Sequence, residues 1–578
     1  MNHGRFGAHP ISPGITEFRF WAPDAQNVAV VMKDAEHEMR PDEQDIFSIT
    51  AAVHPGESYM FRINNNLTVP DPASRLQHRD VHGESIIVDP AYDWQHPNYR
   101  GRPWHETVIY ELHPGIFGGF TGITAQLPRL AALGITAIEL MPIADFPGRH
   151  NWGYDGVLIY APDSAYGTPA DLRQLIDTAH GLNLQVFLDV VYNHFGPDGN
   201  YLSVYAKSFF RGDVHTPWGN AIDFRHQQVR RFFIENALYW LHDYKFDGLR
   251  FDAVHAIKDK TFLHDLATEI RASTPPGRHI HLILENENND ASLLYTEASP
   301  DTFNAQWADD WHHCAHVLLT GESEGYYGDF RNPAQQLARC LSEGFVYQGE
   351  PSAHADNAPR GTPSAHLPST DFVICLQNHD QVGNRAMGER LTVLAQPQAL
   401  RAAIALTLLT PQIPMLFMGE EWGETKPFLF FTDHNPALGK LVREGRRREF
   451  ARFTAFADPQ MRGKIPDPNA PETFHASCIT PEENEWTVFY KTCLAIRHEQ
   501  IIPRIPGCKS LGATALSDTA IRAAWRIHDG AVLTLATNFG TTPAACAAAS
   551  QNCLFSTSTE AHASGIPAFT TIAWLQAS

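Results

Sequence analysis

Basic residues are scarce in this chain. Against 65 Asp and Glu stand 44 Lys and Arg, a formal net charge of −21 over 578 residues. A surface of that sign repels phosphate backbones, which excludes nucleic acid as an expected partner, while a neutral ligand is indifferent to it. Long apolar runs are missing too. The longest, Ala402 to Met418, is broken by Pro411 and Pro414 and reads as a helix turning into a strand, so no membrane span is expected. The opening MNHGRFGAHPISPG lacks the basic start, apolar core and small-residue cleavage site of a secretion leader. Cysteine is sparse and scattered: eight residues, without a CxxC pair, argue against zinc and a disulfide framework and for thiols in a reducing cytoplasm. The absence of a fixed-period repeat disfavours a solenoid or propeller. No motif in the chain sets an oligomeric state.

What is present suits a large folded protein. The composition is 43% hydrophobic and 19% charged, and the length predicts about three or four domains, fewer if one is a barrel. Short alternating runs, ITEFRFWAP, NVAVVM and SYMFRIN, predict an N-terminal β-sandwich of the Ig-like kind. The stretch DPAYDWQHPNYRGRPWHE reads as a linker whose aromatics glue two domains together. From Thr107 apolar strands alternate with helical patterns such as QVRRFFIENALYWLHDY, the rhythm of βαβ units. Candidate strands are VIYEL, AIEL, QVFLDVV, GLRFD, HLILEN, FNAQW, FVICLQN and IPMLFM. Eight closes a barrel. The fold class expected is α/β: a (β/α)8 TIM barrel with an N-terminal β-sandwich and a C-terminal β-domain, bounded at 1–93, 94–505 (barrel with helical extension) and 506–578. GEPSAHADNAPRGTPSAHLPS, before the seventh strand, has no periodicity and reads as a mobile loop. AAWRIHDGAVLTLATNFG predicts a hairpin about Asp529 and Gly530.

One strand carries an anomaly. In FDGLRFDAVHAI, Arg250 and Asp252 are two residues apart and share a face, while Leu249 and Phe251 share the other. An isolated ion pair inside an apolar barrel would lose several kcal/mol to desolvation, so that face must open onto a polar cavity. Working residues of such barrels lie at the C-terminal ends of the strands. There the third strand offers Asp189, Asn193 and His194, the fourth Arg250 and Asp252, the fifth Glu285, the seventh His379 and Asp380. Carboxylates on different strands around one mouth suit glycoside hydrolysis, which needs a nucleophile or base on one side of the bond and an acid on the other. Arg250 favours an ionised Asp252. The apolar LIL run before Glu285 predicts a partly desolvated carboxyl that keeps its proton.

DVVYNH, GLRFDAVHAI, LILENEN and LQNHDQ together resemble the four short motifs of the α-amylase superfamily of glycoside hydrolases, in order and on strands three, four, five and seven. The resemblance covers most of Val108 to Gly419. It implies Asp252 as nucleophile, Glu285 as acid and base, and Asp380 as transition-state stabiliser. It further implies that Asp189, Asn193, His194, Arg250 and His379 support the sugar on the non-reducing side, that Tyr154 is a stacking platform, that His255 lies on the product side, and that Gln381 and Asn384 lie near the substrate. For Asp189 a purely structural bond to Arg250 is an equal alternative. The N-terminal FRFWAPDAQNVAVVM, with HNWGYDGV and YGTPADLRQLIDTAH, is similar to branching, debranching and trehalose-releasing members. LQNHDQVGNRA and RFDAVHAI look most like the trehalose-releasing ones, which cut the α-1,4 bond between a maltooligosaccharide chain and a terminal trehalose. The expected partner is therefore maltooligosyl trehalose or a related α-glucan. Glu287 stands where the family more often has Asp, which bears on the product-side subsites.

After the sixth strand, WADDWHHCAH offers Asp310, Trp311, His312 and His313 to the same mouth as sugar contacts. The adjacent histidines could suggest a metal, but further ligands at suitable spacing are missing, so no metal is expected. Trp152, Trp218, Trp311 and Trp422 are sugar-stacking candidates by residue type. No cofactor is expected, because acetal hydrolysis requires only acid, nucleophile and water. Rival readings are a glycogen branching or debranching enzyme, a transglycosylase, and a catalytically inactive glucan-binding scaffold, the last disfavoured because all three carboxylates are present.

Overall fold

The computed structural model describes residues 6–33, 35–294, 299–546, 552–559 and 565–577. Residues 1–5 of the opening searched for a leader, and 547–551, 560–564 and 578 of the expected C-terminal domain, lie outside the described residues. Eight parallel strands close into a barrel in chain order: Ile109–Leu112, Ala137–Leu140, Gln185–Val190, Gly248–Phe251, His281–Leu284, Ala305–Trp307, Phe372–Cys375 and Ile413–Phe417. All eight coincide with the runs expected from the sequence. Side-chain alternation divides each strand between two environments. Tyr110, Ile138, Val186, Leu249 and Leu282 belong to the large core shared with the helices outside. Ile109, Ala137, Phe187, Ile283, Ala305, Val373, Ile413 and Met415 form a separate apolar plug inside the barrel. Gly248 is needed there because a Cβ would stand 2.8 Å from the Phe187 ring.

Two residues further along the strands the inward positions turn polar. Glu111 lies in register beside Glu139, and Asp189 beside Arg250. Glu139 is buried, and its carboxylate accepts no hydrogen bond from any described residue. Burial first, then the charges of Glu111 and Asp189, push its pKa well above the ordinary carboxylate range. The native state therefore binds this proton more tightly than the unfolded chain, and the stability it contributes is lost as pH rises towards the raised folded pKa. Glu139→Gln should leave stability unchanged near pH 4 and raise it near pH 8 by on the order of 1–3 kcal/mol, read by chemical denaturation. Equal effects at both pH values would contradict a protonated Glu139.

The N-terminal strands make two sheets, one running from Gly7–Ser12 through Ile15–Trp21 and Ile46–Ala51, the other from Ala35–Glu38 through Val28–Met32, Ser58–Ile63 and Leu67–Val69. They pack on the barrel through Phe6 against Phe232 (5.6 Å between ring centroids) and Phe20 against Tyr205 (4.8 Å). The aromatic linker packs on the barrel: Tyr99 stacks on His180 at 4.2 Å, Lys245 lies 4.4 Å over Trp94, and Trp104 packs against the apolar plug. At the far end, strands Ala520–Arg526 and Val532–Asn538 form the expected hairpin, with Gly530 at φ 82°. Their five-stranded sheet rests on helix Pro397–Leu409, where Thr571 Oγ1 donates to the Ala402 carbonyl at 2.7 Å. Among the described residues no helix is long and apolar enough to cross a membrane.

The segment read as a mobile loop is tied down instead. Pro351–Ser352 pairs with Ala358–Pro359, Ser352 Oγ donates to Asp329 at 2.6 Å, and the Arg360 guanidinium reaches the Glu287 carbonyl at 2.8 Å and the Asp310 carboxylate at 3.1 Å. Its partners lie on three other segments, so periodicity within the stretch could not announce them.

Candidate active site

Arg250 is fully buried and anchors the site. Its Nη1 donates to Asp189 Oδ2 at 2.7 Å and to Asp252 Oδ1 at 2.9 Å, its Nη2 pairs with Glu285 Oε2 at 2.9 Å, and its guanidinium lies 4.1 Å over the Trp307 ring. One cation thus confines two of the three expected catalytic carboxylates to its own edges. Asp252 Oδ2 accepts a second bond from Asn193 Nδ2 at 2.7 Å, which fixes the carboxylate plane. His194 meets the Asn193 amide oxygen and the Tyr154 carbonyl with its ring nitrogens.

The turn after the fourth strand serves the fifth. Ala253 adopts φ 41°, rare for a residue with a Cβ, and thereby presents its N–H to Glu285 Oε2 at 2.8 Å. Strain at this position is tolerated where it aims a donor. The apolar surroundings expected for Glu285 are corrected here: a guanidinium and a backbone N–H hold one carboxylate oxygen, and the side chain is 18% exposed to the cavity.

Asp380 accepts from Asn384 Nδ2 at 2.9 Å, and its Oδ2 lies 3.5 Å from His379 Nε2. Glu111 takes both the backbone N–H (3.0 Å) and Nδ1 (2.5 Å) of His379. Burial alone would lower the His379 pKa, but Asp380 and Glu111 outweigh it and lift it to about 9. The imidazolium so held stacks on Tyr154 at 5.0 Å, and the Tyr154 hydroxyl donates to Asp189 Oδ2 at 2.6 Å. Burial pushes Asp189 up to about 7 against the pull of Arg250. With both its bonds going to Arg250 and Tyr154, Asp189 holds the constellation together. A cavity of about 290 Å³ opens over Glu285 and Asp380, with Gln381, Asn384, His255 and Glu287 on its wall. Asp252 lies outside that wall and joins it through Arg250. A larger groove, about 1190 Å³, runs between helix Pro333–Glu343 and strand Lys509–Ser517 and contains none of these residues.

Comparison with known proteins agrees with the barrel architecture. Residues 92–217 match the family described as "Alpha amylase, catalytic domain", 5–90 "Carbohydrate-binding module 48 (Isoamylase N-terminal domain)", and 508–574 a domain of unknown function, DUF3459. The chain is 41% identical over 508 residues, 86% of its length and 87% of the relative's, to the malto-oligosyltrehalose trehalohydrolase of Saccharolobus solfataricus. The chain belongs to the malto-oligosyltrehalose trehalohydrolases. The relative of that name from Deinococcus radiodurans is 41% identical over 487 residues, 83% of this chain and 80% of that one. A crystal structure of a Salmonella typhimurium protein assigned as an alpha amylase superposes with a TM-score of 0.93 at 42% identity, covering 99% of both chains. These trehalohydrolases are glycoside hydrolases of the α-amylase superfamily.

Within this trehalohydrolase fold, three expected sugar contacts need correction. Asp310 is sealed off, accepting from Asn289 Nδ2 (2.9 Å) and the backbone N–H groups of Val346 (2.8 Å) and Tyr347 (3.3 Å). Trp311 is buried in the core, and His312 is spent on the Leu376 carbonyl and the Tyr327 hydroxyl. Of the expected residues the helix Asp309–Thr320 turns only His313 to the cavity, and with it Asp309. Of the tryptophans, Trp152 and Trp422 are buried and bonded to the Leu429 carbonyl and Glu424, while Trp218 is 46% exposed and stacks on His194 at 4.7 Å. Residues missed by motif reading include Glu111, Trp307 and Arg360. Glu111 had a visible signal, an acid in an apolar strand. Arg360 had none.

Proposed function

We infer that the protein hydrolyses the α-1,4 bond joining a maltooligosaccharide chain to a terminal trehalose, releasing trehalose with retention of configuration. The observation that carries this reading is the shared guanidinium: Asp252 and Glu285 both rest on Arg250, and Glu285 shares its cavity with Asp380. Asp252 attacks the anomeric carbon as Glu285 gives its proton to the leaving glycosidic oxygen, which departs with the trehalose unit. Glu285, now a carboxylate, takes a proton from water, and the resulting hydroxide-like oxygen attacks from the face the trehalose left, opposite Asp252, and displaces it. Asp380, held by Asn384 and the His379 imidazolium, orders ring hydroxyls as positive charge develops. Asn193, His194, Arg250, His379, Tyr154 and Asp189 form the non-reducing side; His255, Glu287, Gln381 and Asn384 form the product side.

A cavity of about 290 Å³ is at the small end for ligand sites and fits a disaccharide better than a long chain. Module boundaries at 93/94 and 505/506 belong to the same proposal, supported by the carbohydrate-binding match at 5–90. So does a cytoplasmic, reducing setting for the eight cysteines. Incubation with maltooligosyl trehalose, maltoheptaose and a branched glucan tests the reading. Free trehalose from the first, an α-configured new reducing end by NMR, and little action on the others are expected. Comparable cleavage of maltoheptaose, new branch points, or a β-anomer would overturn it.

Trp218 supplies a smaller test. Its exposed indole extends the non-reducing side beyond His194, so Trp218→Ala should raise KM for long substrates about three- to ten-fold with kcat within about two-fold. Initial rates over a chain-length series would show the effect vanishing on the shortest substrate.

A further inference from the structure

Two neighbouring carboxyls at the start of helix Asp309–Thr320 have opposite fates. Asp310 is saturated by hydrogen bonds and by Arg360, whereas the Asp309 carboxyl, partly buried on the cavity wall, accepts no hydrogen bond from any described residue. One turn on, His313 lies on the same wall, only 8% exposed, with its Nδ1 buried and unpartnered. Buried polar atoms left this way are costly unless a ligand completes them. We propose that Asp309 is a specificity-determining residue: with His313 beside it, its carboxyl donates a hydrogen bond to a hydroxyl of the sugar on the leaving side of the scissile bond. The inference rests on the hydrolysis argued above and assigns a sugar contact to a residue outside the four motifs.

The electrostatics fit a donor. Burial, then the charge of Glu285 and that of Asp380, lift the Asp309 pKa to about 8 against the pull of Arg360. Burial, then His312 and Arg360, lower that of His313, which stays a neutral imidazole. Glu285 from the fifth strand, Asp380 from the seventh, Arg360 from the tied-down segment, and Asp310 and His313 on its own helix are the groups facing Asp309. His255, Glu287, Asp329 and His354 complete the titratable wall. At neutral pH the pair thus offers a neutral sugar an O–H and a ring nitrogen. Above about pH 8 the O–H is lost and the wall gains a negative charge at Asp309.

Calorimetric titration of the full-length chain with trehalose and with maltose, near pH 6.5 and near pH 9.5, tests this. Wild type should bind trehalose about ten-fold more weakly at the higher pH. Asp309→Asn, which keeps a neutral donor, should bind within about three-fold of wild type near pH 6.5 and lose the pH dependence. Asp309→Ala should bind about ten-fold more weakly at both. Wild-type affinity in Asp309→Ala, or no rescue by Asp309→Asn, overturns the proposal. A wild type that binds maltose and not trehalose overturns the trehalose reading alone, and the Asp309 comparison is then read on maltose. Binding of neither sugar overturns both.

Discussion

Replacing Asp252 by alanine should lower kcat for trehalose release by roughly 10⁴-fold or more while glucan binding stays measurable. The size follows from the role: without a carboxylate on that face the glycosyl cation has no covalent partner, and the double displacement loses its first step. Asparagine is not a gentle alternative. Asp252 accepts from two donors, Arg250 Nη1 through one oxygen and Asn193 Nδ2 through the other. An amide has one acceptor oxygen, so its NH₂ would face a donor, costing on the order of 1–3 kcal/mol besides the chemistry. Alanine leaves space instead, which gives the experiment a second readout. Azide added to Asp252→Ala should attack the anomeric carbon from the vacated side while Glu285 protonates the leaving oxygen. The product would be a β-glycosyl azide, of opposite configuration to the α-product of the wild type. Retained turnover without azide would remove Asp252 from the mechanism. Rescue giving an α-azide would mean that it stands on the wrong face.

Much of this site was legible because a strand has a period of two. Arg250 and Asp252 had to share a face, and the same parity places Glu111, Glu139 and Asp189 inside the barrel, at positions with a polar rather than an apolar neighbour across the ladder. Glu111 could have been found by that rule alone. Asp310, Trp311 and His312 were misplaced for the complementary reason. One residue along a helix turns a side chain by about 100°, and the phase of Asp309–Thr320 is set by where Asp310 finds its donors, on Asn289, Val346 and Tyr347. Those partners are remote in the chain, so nothing in WADDWHHCAH distinguishes the inward from the outward aspartate. Arg360 is the extreme case. It lies in an aperiodic segment and owes its position to Asp310 and the Glu287 carbonyl. The strand positions of Asp252 and Glu285 were therefore legible in the sequence, whereas the orientation of the residues after the sixth strand required tertiary information.

Arg250→Met is expected to have the largest effect on stability, about 3–5 kcal/mol near pH 8, because it strips a fully buried cation from a largely buried group of three carboxylates. Its pH dependence tells an electrostatic cause from a packing one. Burial already lifts Asp189 to about 7 with Arg250 opposing it, and without that opposition the folded pKa goes higher still. A carboxyl whose folded pKa exceeds its unfolded value near 3.9 contributes stability that is complete at low pH and fades as pH rises through the folded value. The Arg250→Met deficit should therefore shrink on acidification from about pH 8 to about pH 5, as the native state takes up a proton that the unfolded chain releases. Methionine retains contact with the Trp307 ring, so the cavity term is kept small. Arg250→Lys separates charge from shape: it restores a cation but cannot reach Asp189, Asp252 and Glu285 from a planar fork, so it should recover part of the stability and leave kcat down by about 10²-fold or more. A deficit in Arg250→Met that stayed constant from pH 5 to 8 would place the role of this residue in packing, and the guanidinium would no longer be what aligns nucleophile and acid.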